Sequence, residues 1–482
     1  MKESSIGKNT IFNILKTMSS IIFPLITIPY ISRVLHADNV GKINFGNSIV
    51  SYISLIASLG VTTYAIRECS RVRESKKQLE NTASQIISIN IFSTVGAYIV
   101  LACLLFFGKS LNGYKILIIT QSVIVIFTTL GADWINSAME DFKYLAVRTF
   151  VVQLISLIAM FLFVHKPEDY LKYALISVMA QSGANVINIL YRRKFCTIRF
   201  TVHIDWKRHL PPIMLLFTMI LAQQIFVNLD ITMIGIIKGD FEVGLYSTAT
   251  KIYLMVNQVI ASIAWVVMPK LSYLFYEKNY KEINNVLRYT ANIICVLGIP
   301  LAVGLAVLAP EILVVVAGTE YIGATTSLRI LAVSLVLSLI SGFIGNIILL
   351  PSGRERVCLI SCIISAIVNF ILNIIFIPKY GINAAAVSTA ISQAITLIVS
   401  ALYIEKQIKF TYLKTMLKAP IVGGISIVIL GLLSKNMIGN VYMRTGVVIL
   451  CSSIIYILIL FLFKDRLAIT CKNKIVLKIS KK

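Results

Sequence analysis

Charge is what this sequence has least of. Asp, Glu, Lys and Arg together make up 14% of the 482 residues, against about 25% in ordinary soluble domains. That leaves too little polar surface to clothe a water-soluble core of this length. Acids are the scarcer half, with 21 Asp and Glu against 45 Lys and Arg. The four His residues are scattered, so no metal site is expected. The eight Cys have no framework spacing, and Cys358 and Cys362, which share a helical face without a nearby His, read as small packing residues. There is no nucleophile–base constellation and no phosphate-cradling loop; Gly423-Gly424 does not make one. A soluble enzyme, a metalloprotein and a P-loop nucleotidase are all disfavoured by these shortages.

Apolar sequence takes the place of the missing charge, at 57% with a mean hydropathy of +0.86. A helix needs ~20 predominantly apolar residues to cross ~30 Å of hydrocarbon. Fourteen stretches qualify: 10–32, 43–63, 86–107, 115–137, 147–164, 171–190, 211–237, 243–266, 291–315, 326–350, 357–377, 383–404, 419–435 and 443–463. They are continuous rather than alternating, which argues against a strand barrel. The expected fold class is therefore an all-α integral membrane protein of about 14 transmembrane helices. The opening MKESSIGKNT runs into the first span without a small-residue cleavage site and is read as a retained helix. The hydrophilic stretches 64–84, 191–210 and 267–290 are each too short for a catalytic domain.

Placing the N-terminus inside assigns 32 Lys and Arg to cytoplasmic segments and 11 to external loops, with Lys16 and Lys251 in spans. This bias predicts that both termini are cytoplasmic. It also accounts for the net charge of +24 without nucleic acid as a partner. Basic clusters such as 191–195 are expected against anionic membrane lipids.

A weak internal repeat adds architecture. Asp38-Asn39-Val40-Gly41 before the second span resembles Asp240-Phe241-Glu242-Val243-Gly244 before the eighth, an offset of 203. Gln181 to Tyr191 and Gln393 to Tyr403 match at an offset of 212. Six spans per unit make the repeats parallel, the arrangement of some two-lobed transporters. The expected domains are an N-terminal lobe (1–200, spans 1–6), a C-terminal lobe (201–410, spans 7–12), and two further spans with a basic tail (411–482).

Ionisable groups at membrane depth are costly and hence candidate functional residues. Asp230 and Lys251 lie at similar distances either side of the turn near Asp240, so they are expected at equal depth and able to pair. Lys251 reads as an anion contact facing a cavity, or as half of a structural ion pair. Gln223, Gln224 and Asn228 form a polar stripe before Asp230, suited to sugar hydroxyls or to helix–helix hydrogen bonds. Lys16 reads mainly as a snorkelling side chain, and Arg33 as a headgroup anchor or an anion contact. Pro24 and Pro29 should bend the first span and mark a candidate gate. Asp133 and Trp134 are expected near the inner interface, Trp134 as a lipid anchor.

Taken together, Pro24, Pro29-Tyr30-Ile31-Ser32-Arg33-Val34-Leu35, Gly41, Phe45, Ser48, Tyr52, Gly60, Tyr64 and Arg67-Glu68 resemble the first two spans of polysaccharide flippases, the O-antigen and capsule repeat-unit exporters of the multidrug/oligosaccharidyl-lipid/polysaccharide superfamily. Residues 133–148 are similar to that family's W-x-x-x-G-x-E-x-(F/M)-K turn, with Ala138 where Gly is usual. Asp230, Met233-Ile234-Gly235, Val243-Gly244-Leu245-Tyr246-Ser247, Lys251 and Pro269-Lys270-Leu271-Ser272 resemble its seventh and eighth spans. The resemblance implies a non-enzymatic flippase of the bacterial cytoplasmic (inner) membrane. It would carry an undecaprenyl-diphosphate-linked oligosaccharide to the outer leaflet by alternating access, with polysaccharide polymerase machinery as a further partner. No cofactor is implied beyond a coupling ion, H+ or Na+. Lys251, Arg33, Asp230, Lys16, Gln224 and Asn228 would line the substrate path. A cation-coupled drug exporter and a lipid II flippase of the same superfamily are the alternatives, and a membrane glycan polymerase is a weaker one.

Overall fold

The computed structural model describes residues 6–410, 413–465 and 467–470. Side chains are described from Ile22 onward, except at 219, 222, 223, 225–227, 265, 413 and 414. The described residues contain helices and turns but no strand, as expected where no water is present to satisfy an open backbone.

Among the described residues, eleven helices are long and apolar enough to cross a membrane. Two of them are too long to cross only once. Ile6–Ser58 has 53 residues, which at 1.5 Å each gives about 80 Å. It is broken at His36 (φ 61°, ψ 170°). Glu355–Ala401 has 47 residues and is broken at Gly381 (φ 56°, ψ −137°). Dividing both at their breaks and adding Trp206–Ile237 is consistent with fourteen spans. In chain order, spans 1 and 2 flank His36, span 3 is Lys76–Phe107 and span 4 is Lys115–Gly131. Span 5 is Phe142–Phe163, and span 6 runs from Tyr170 to Tyr191 through a π-helical turn at Met179–Gly183. Span 7 is Trp206–Ile237, span 8 Asp240–Tyr276 and span 9 Tyr280–Val307. Span 10 starts at Thr325 and ends in a π-helical stretch, Phe343–Leu349. Spans 11 and 12 flank Gly381, and spans 13 and 14 are Lys418–Met437 and Val441–Leu462.

The breaks recur along the chain. His36 between spans 1 and 2 and Gly239 (φ 94°) between spans 7 and 8 lie 203 positions apart. Six-residue 3-10 segments, Lys109–Tyr114 and Thr319–Ala324, precede spans 4 and 10 at an offset of 210. By packing, the chain divides into two compact units, 1–244 and 245–482, so the first unit holds spans 1–7.

In the first unit, spans 3 and 5 turn Val95, Ile99, Phe150, Ile155 and Phe163 outward. Such exposure costs nothing where the surrounding solvent is hydrocarbon. At one end of the unit Gly60 (φ 74°) turns span 2 into the short amphipathic helix Val61–Arg71. Its Tyr64, Ala65 and Cys69 bury against Trp134, Ile135, Cys196 and Ile213. Trp134 is only 4% exposed, so the expected lipid anchor is instead a core residue. It is the largest apolar side chain available to fill the space beneath Val61–Arg71.

The link from span 6 to span 7 is an extended strap laid along span 3. Backbone N–H groups of Thr197, Arg199 and Thr201 donate to Glu80 Oε1, Ser84 Oγ and Ser88 Oγ at 2.9, 3.1 and 2.9 Å. Two extended residues advance about 6.6 Å and four helical residues about 6 Å, so alternate strap positions meet every fourth helix position. In the second unit, spans 13 and 14 pack on span 9. Tyr456 Oη donates to the Val296 carbonyl at 2.7 Å, and Asn292 Nδ2 donates to Asp465 Oδ1 at 3.1 Å. Arg444 reaches buried Glu311 at 3.1 Å.

Candidate functional site

One group of polar side chains in the first unit lies where span 7 meets span 2. On span 7, Asn228 Nδ2 donates to the Gln224 carbonyl at 3.2 Å, and Thr232 Oγ1 donates to the Asn228 carbonyl at 3.1 Å. Thr232 Oγ1 also bonds Ser48 Oγ of span 2 at 3.0 Å and lies 3.2 Å from Tyr52 Oη. Asp230 is buried beside this ladder, at 6% exposure, while Gln224 and Asn228 are half-buried. Four of these side chains, at positions 48, 52, 228 and 232, are therefore committed to hydrogen bonds within or between two helices. Their remaining lone pairs and N–H groups are of the kind that bind hydroxyl-rich molecules.

Lys251 belongs to the second unit, half-buried on span 8. On the same helix, Tyr246 Oη lies 3.5 Å from Thr389 Oγ1 and Asn257 Nδ2 donates to Ser338 Oγ at 3.2 Å. A closed network missed in the sequence joins spans 11 and 12. There Asn373 Nδ2 donates to Asn369 Oδ1 at 3.1 Å, Asn369 Nδ2 donates to Ser388 Oγ at 3.3 Å, and Ser388 Oγ donates to Asn373 Oδ1. Its signal was the i, i+4 spacing of Asn369 and Asn373.

Arg33 is exposed, and its Nη1 donates to the Pro29 carbonyl at 2.6 Å. The helix keeps its φ/ψ through Pro24 and Pro29, and only His36 within Ile6–Ser58 is non-helical. The side chains of Lys16 and Gln223 lie outside the described residues.

Two buried ionic centres stand at the end of the first unit that carries Val61–Arg71. Arg148, 3% exposed, donates to Asp133 Oδ2 at 2.6 Å, so Asp133 is an ion-pair partner. Turning the Asn185 amide brings its nitrogen within 3.0–3.1 Å of the same carboxylate. Asn136 and Asn188 join at 2.8 Å, and Asp141 accepts from Tyr191 Oη at 2.7 Å. The motif at 133–148 thus ties the ends of spans 4, 5 and 6 together. The second centre is Glu68, on which Arg67, Arg71 and Arg208 converge. Among the described residues, no group of three His, Cys, Asp or Glu could hold a metal ion.

A family model described as polysaccharide biosynthesis protein matches residues 6–275. The chain is 22% identical over 360 residues to a Shigella dysenteriae protein named "Putative O-antigen transporter", covering 73% of this chain and 87% of the relative. A protein of the same name from Escherichia coli (strain K12) is 20% identical over 279 residues, covering 56% of this chain and 65% of the relative. Among solved structures, the lipid II flippase MurJ in an inward closed conformation has a TM-score of 0.76 at 17% identity, covering 95% of this chain and 99% of that one. An inward-facing multidrug resistance MATE transporter of the MOP superfamily has a TM-score of 0.57 at 14% identity, covering 80% and 97%. These two likenesses show the fold.

Proposed function

We propose that this chain, which belongs to the polysaccharide biosynthesis protein family, is a flippase for a lipid-linked oligosaccharide in a bacterial cytoplasmic membrane. The cargo is an undecaprenyl-diphosphate-linked repeat unit of O-antigen or capsule. It moves from the inner to the outer leaflet by alternating access between two parallel six-span lobes, 1–200 and 201–410. Both termini face the cytoplasm, and polysaccharide polymerase machinery receives the product. The observation that carries this reading is the match to a named O-antigen transporter over 87% of that relative's length.

The physical problem fits the residues. A diphosphate and its sugars do not cross hydrocarbon unaided, whereas the polyprenyl tail remains in lipid. Lys251 supplies a compact positive charge at membrane depth, and Asp230 tunes or releases it. Gln224, Asn228 and the Ser48–Tyr52–Thr232 ladder supply hydrogen-bonding groups. Lys16 and Arg33 add positive charge along the first span, whose prolines 24 and 29 serve a gate.

Deletion in the native host tests the function, with lipid-linked glycan expected to accumulate on the cytoplasmic leaflet. Absence of that accumulation counts against the flippase reading. Lys251→Ala should abolish surface polysaccharide at normal membrane levels of the protein; unchanged export removes Lys251 from the path. Simultaneous reversal of Asp230 and Lys251 should recover more export than either single reversal.

A further inference from the structure

Glu68 is a buried carboxylate, 8% exposed, ringed by three guanidinium groups. Arg67 Nε lies 3.2 Å from Oε1 and Arg71 Nη1 2.9 Å from Oε1, both on Val61–Arg71. Arg208 Nη2, from the first turn of span 7, lies 3.7 Å from Oε2. The backbones carrying them are fixed independently. Tyr64 Oη and His209 Nδ1 share a buried hydrogen bond of 2.7 Å. The Arg208 N–H donates to Asp205 Oδ1 at 3.1 Å, capping span 7. A Cβ on Gly60 would touch the Phe217 nitrogen at 3.0 Å, so the turn into Val61–Arg71 is seated directly on span 7.

One carboxylate cannot neutralise three guanidiniums, and two positive charges are left over. Arg67 and Arg71 are at i, i+4, where like charges repel, and Glu68 holds them together nonetheless. The three side chains remain 49%, 66% and 54% exposed respectively, and each guanidinium has five N–H donors, only some of which Glu68 can occupy. The neighbouring cation Arg73 is paired with Glu140 at 2.6 Å and does not join them. The cluster stands just past the end of span 2, where a helix that crosses the hydrocarbon meets lipid headgroups. Planar guanidinium forks suit phosphate oxygens, each fork taking two.

From this geometry we infer that Arg67, Arg71 and Arg208 form a diphosphate-binding site at the headgroup level, pre-organised by Glu68. Its ligand is the diphosphate of a lipid carrier, whose two phosphates carry at least one negative charge each and so can match the surplus. The anion chemistry stands by itself. That the diphosphate is borne by a carrier lipid rests on the flippase reading.

The test uses the full-length protein in phosphatidylcholine nanodiscs, titrated with undecaprenyl diphosphate, with inorganic diphosphate and, separately, with phosphatidylglycerol. Arg71→Gln and Arg208→Gln should each weaken both diphosphate probes by about tenfold or more, as expected for losing hydrogen bonds to a charged group. Arg71→Lys should weaken them less, and phosphatidylglycerol should compete poorly. Unfolding temperatures are measured alongside. A fall in unfolding temperature with diphosphate affinity unchanged in all three variants makes the cluster a structural staple and overturns the site. Equal affinity for phosphatidylglycerol and the diphosphates assigns it to bulk anionic lipid and overturns it too. Because binding is read on purified protein, failure here is distinct from failure of the deletion experiment.

Discussion

Gly41 and Gly244 each rest on the backbone of the other's helix. A Cβ on Gly41 would strike the Asp240 carbonyl, and a Cβ on Gly244 would strike the Ala37 carbonyl. Each glycine meets the residue four places before its counterpart, and the two stand 203 positions apart in the copies of one short motif. The two copies of the motif thus meet backbone to backbone within the first unit. The adjoining Tyr114 Oη donates to Asp240 Oδ1 at 2.6 Å, and Lys42 pairs with Asp38 at 2.8 Å.

Backbone oxygens cannot rotate away as side-chain tips can. Gly41→Ala and Gly244→Ala are each expected to force the helix ends apart, at about 1–3 kcal/mol of overpacking. Thermal unfolding should report a similar loss for both, and export should fall in parallel. Gly96, where a Cβ meets nothing within 4 Å, is the control, and Gly96→Ala should change neither.

The Asp133–Arg148 pair should be asymmetric under mutation. Asp133→Ala leaves the deeply buried Arg148 without its carboxylate, at about 3–5 kcal/mol. Arg148→Met leaves the more exposed Asp133 with solvent and Asn185 and should cost less. Denaturation of the purified variants measures the difference; equal losses would contradict the burial argument.

The strap between spans 6 and 7 depends on side chains of span 3. Ser84→Ala and Ser88→Ala remove the acceptors for Arg199 and Thr201, at about 1 kcal/mol each. Amide hydrogen exchange at 197–205 should accelerate in both variants. Exchange in the Asn369–Asn373–Ser388 network should not change.

Cys196 should be chemically silent. Burial, with help from nearby Glu80, pushes its thiol up to about 11. At pH 8 only about one part in a thousand is therefore thiolate, the reactive form. Maleimide labelling of Cys196 in the folded protein should be slow at pH 8, faster as pH rises toward 11, and rapid once the chain is unfolded.

Much of the fold could be read along the chain because hydrophobicity is a local property. The stretches 86–107 and 443–463 end within one residue of spans 3 and 14, and the breaks at His36 and Gly381 fall in gaps between expected spans. Helix starts were less legible. Span 3 begins at Lys76 and span 9 at Tyr280, because helices continue into the polar zone with charged residues that hydropathy does not count. Trp134 misled for a related reason: an aromatic near a span end suits an interface or a core equally well by sequence.

Composition and order alone determined that this chain lives in lipid, roughly where it crosses, and that its halves echo one another. Apolar runs suffice for this, since each helix satisfies its own backbone. Tertiary structure alone decided which polar groups meet. Glu68 and Arg208 are 140 positions apart, Tyr52 and Thr232 180, and Asn292 and Asp465 173. Those meetings depend on how helices pack side by side, a relation with no periodicity along the sequence.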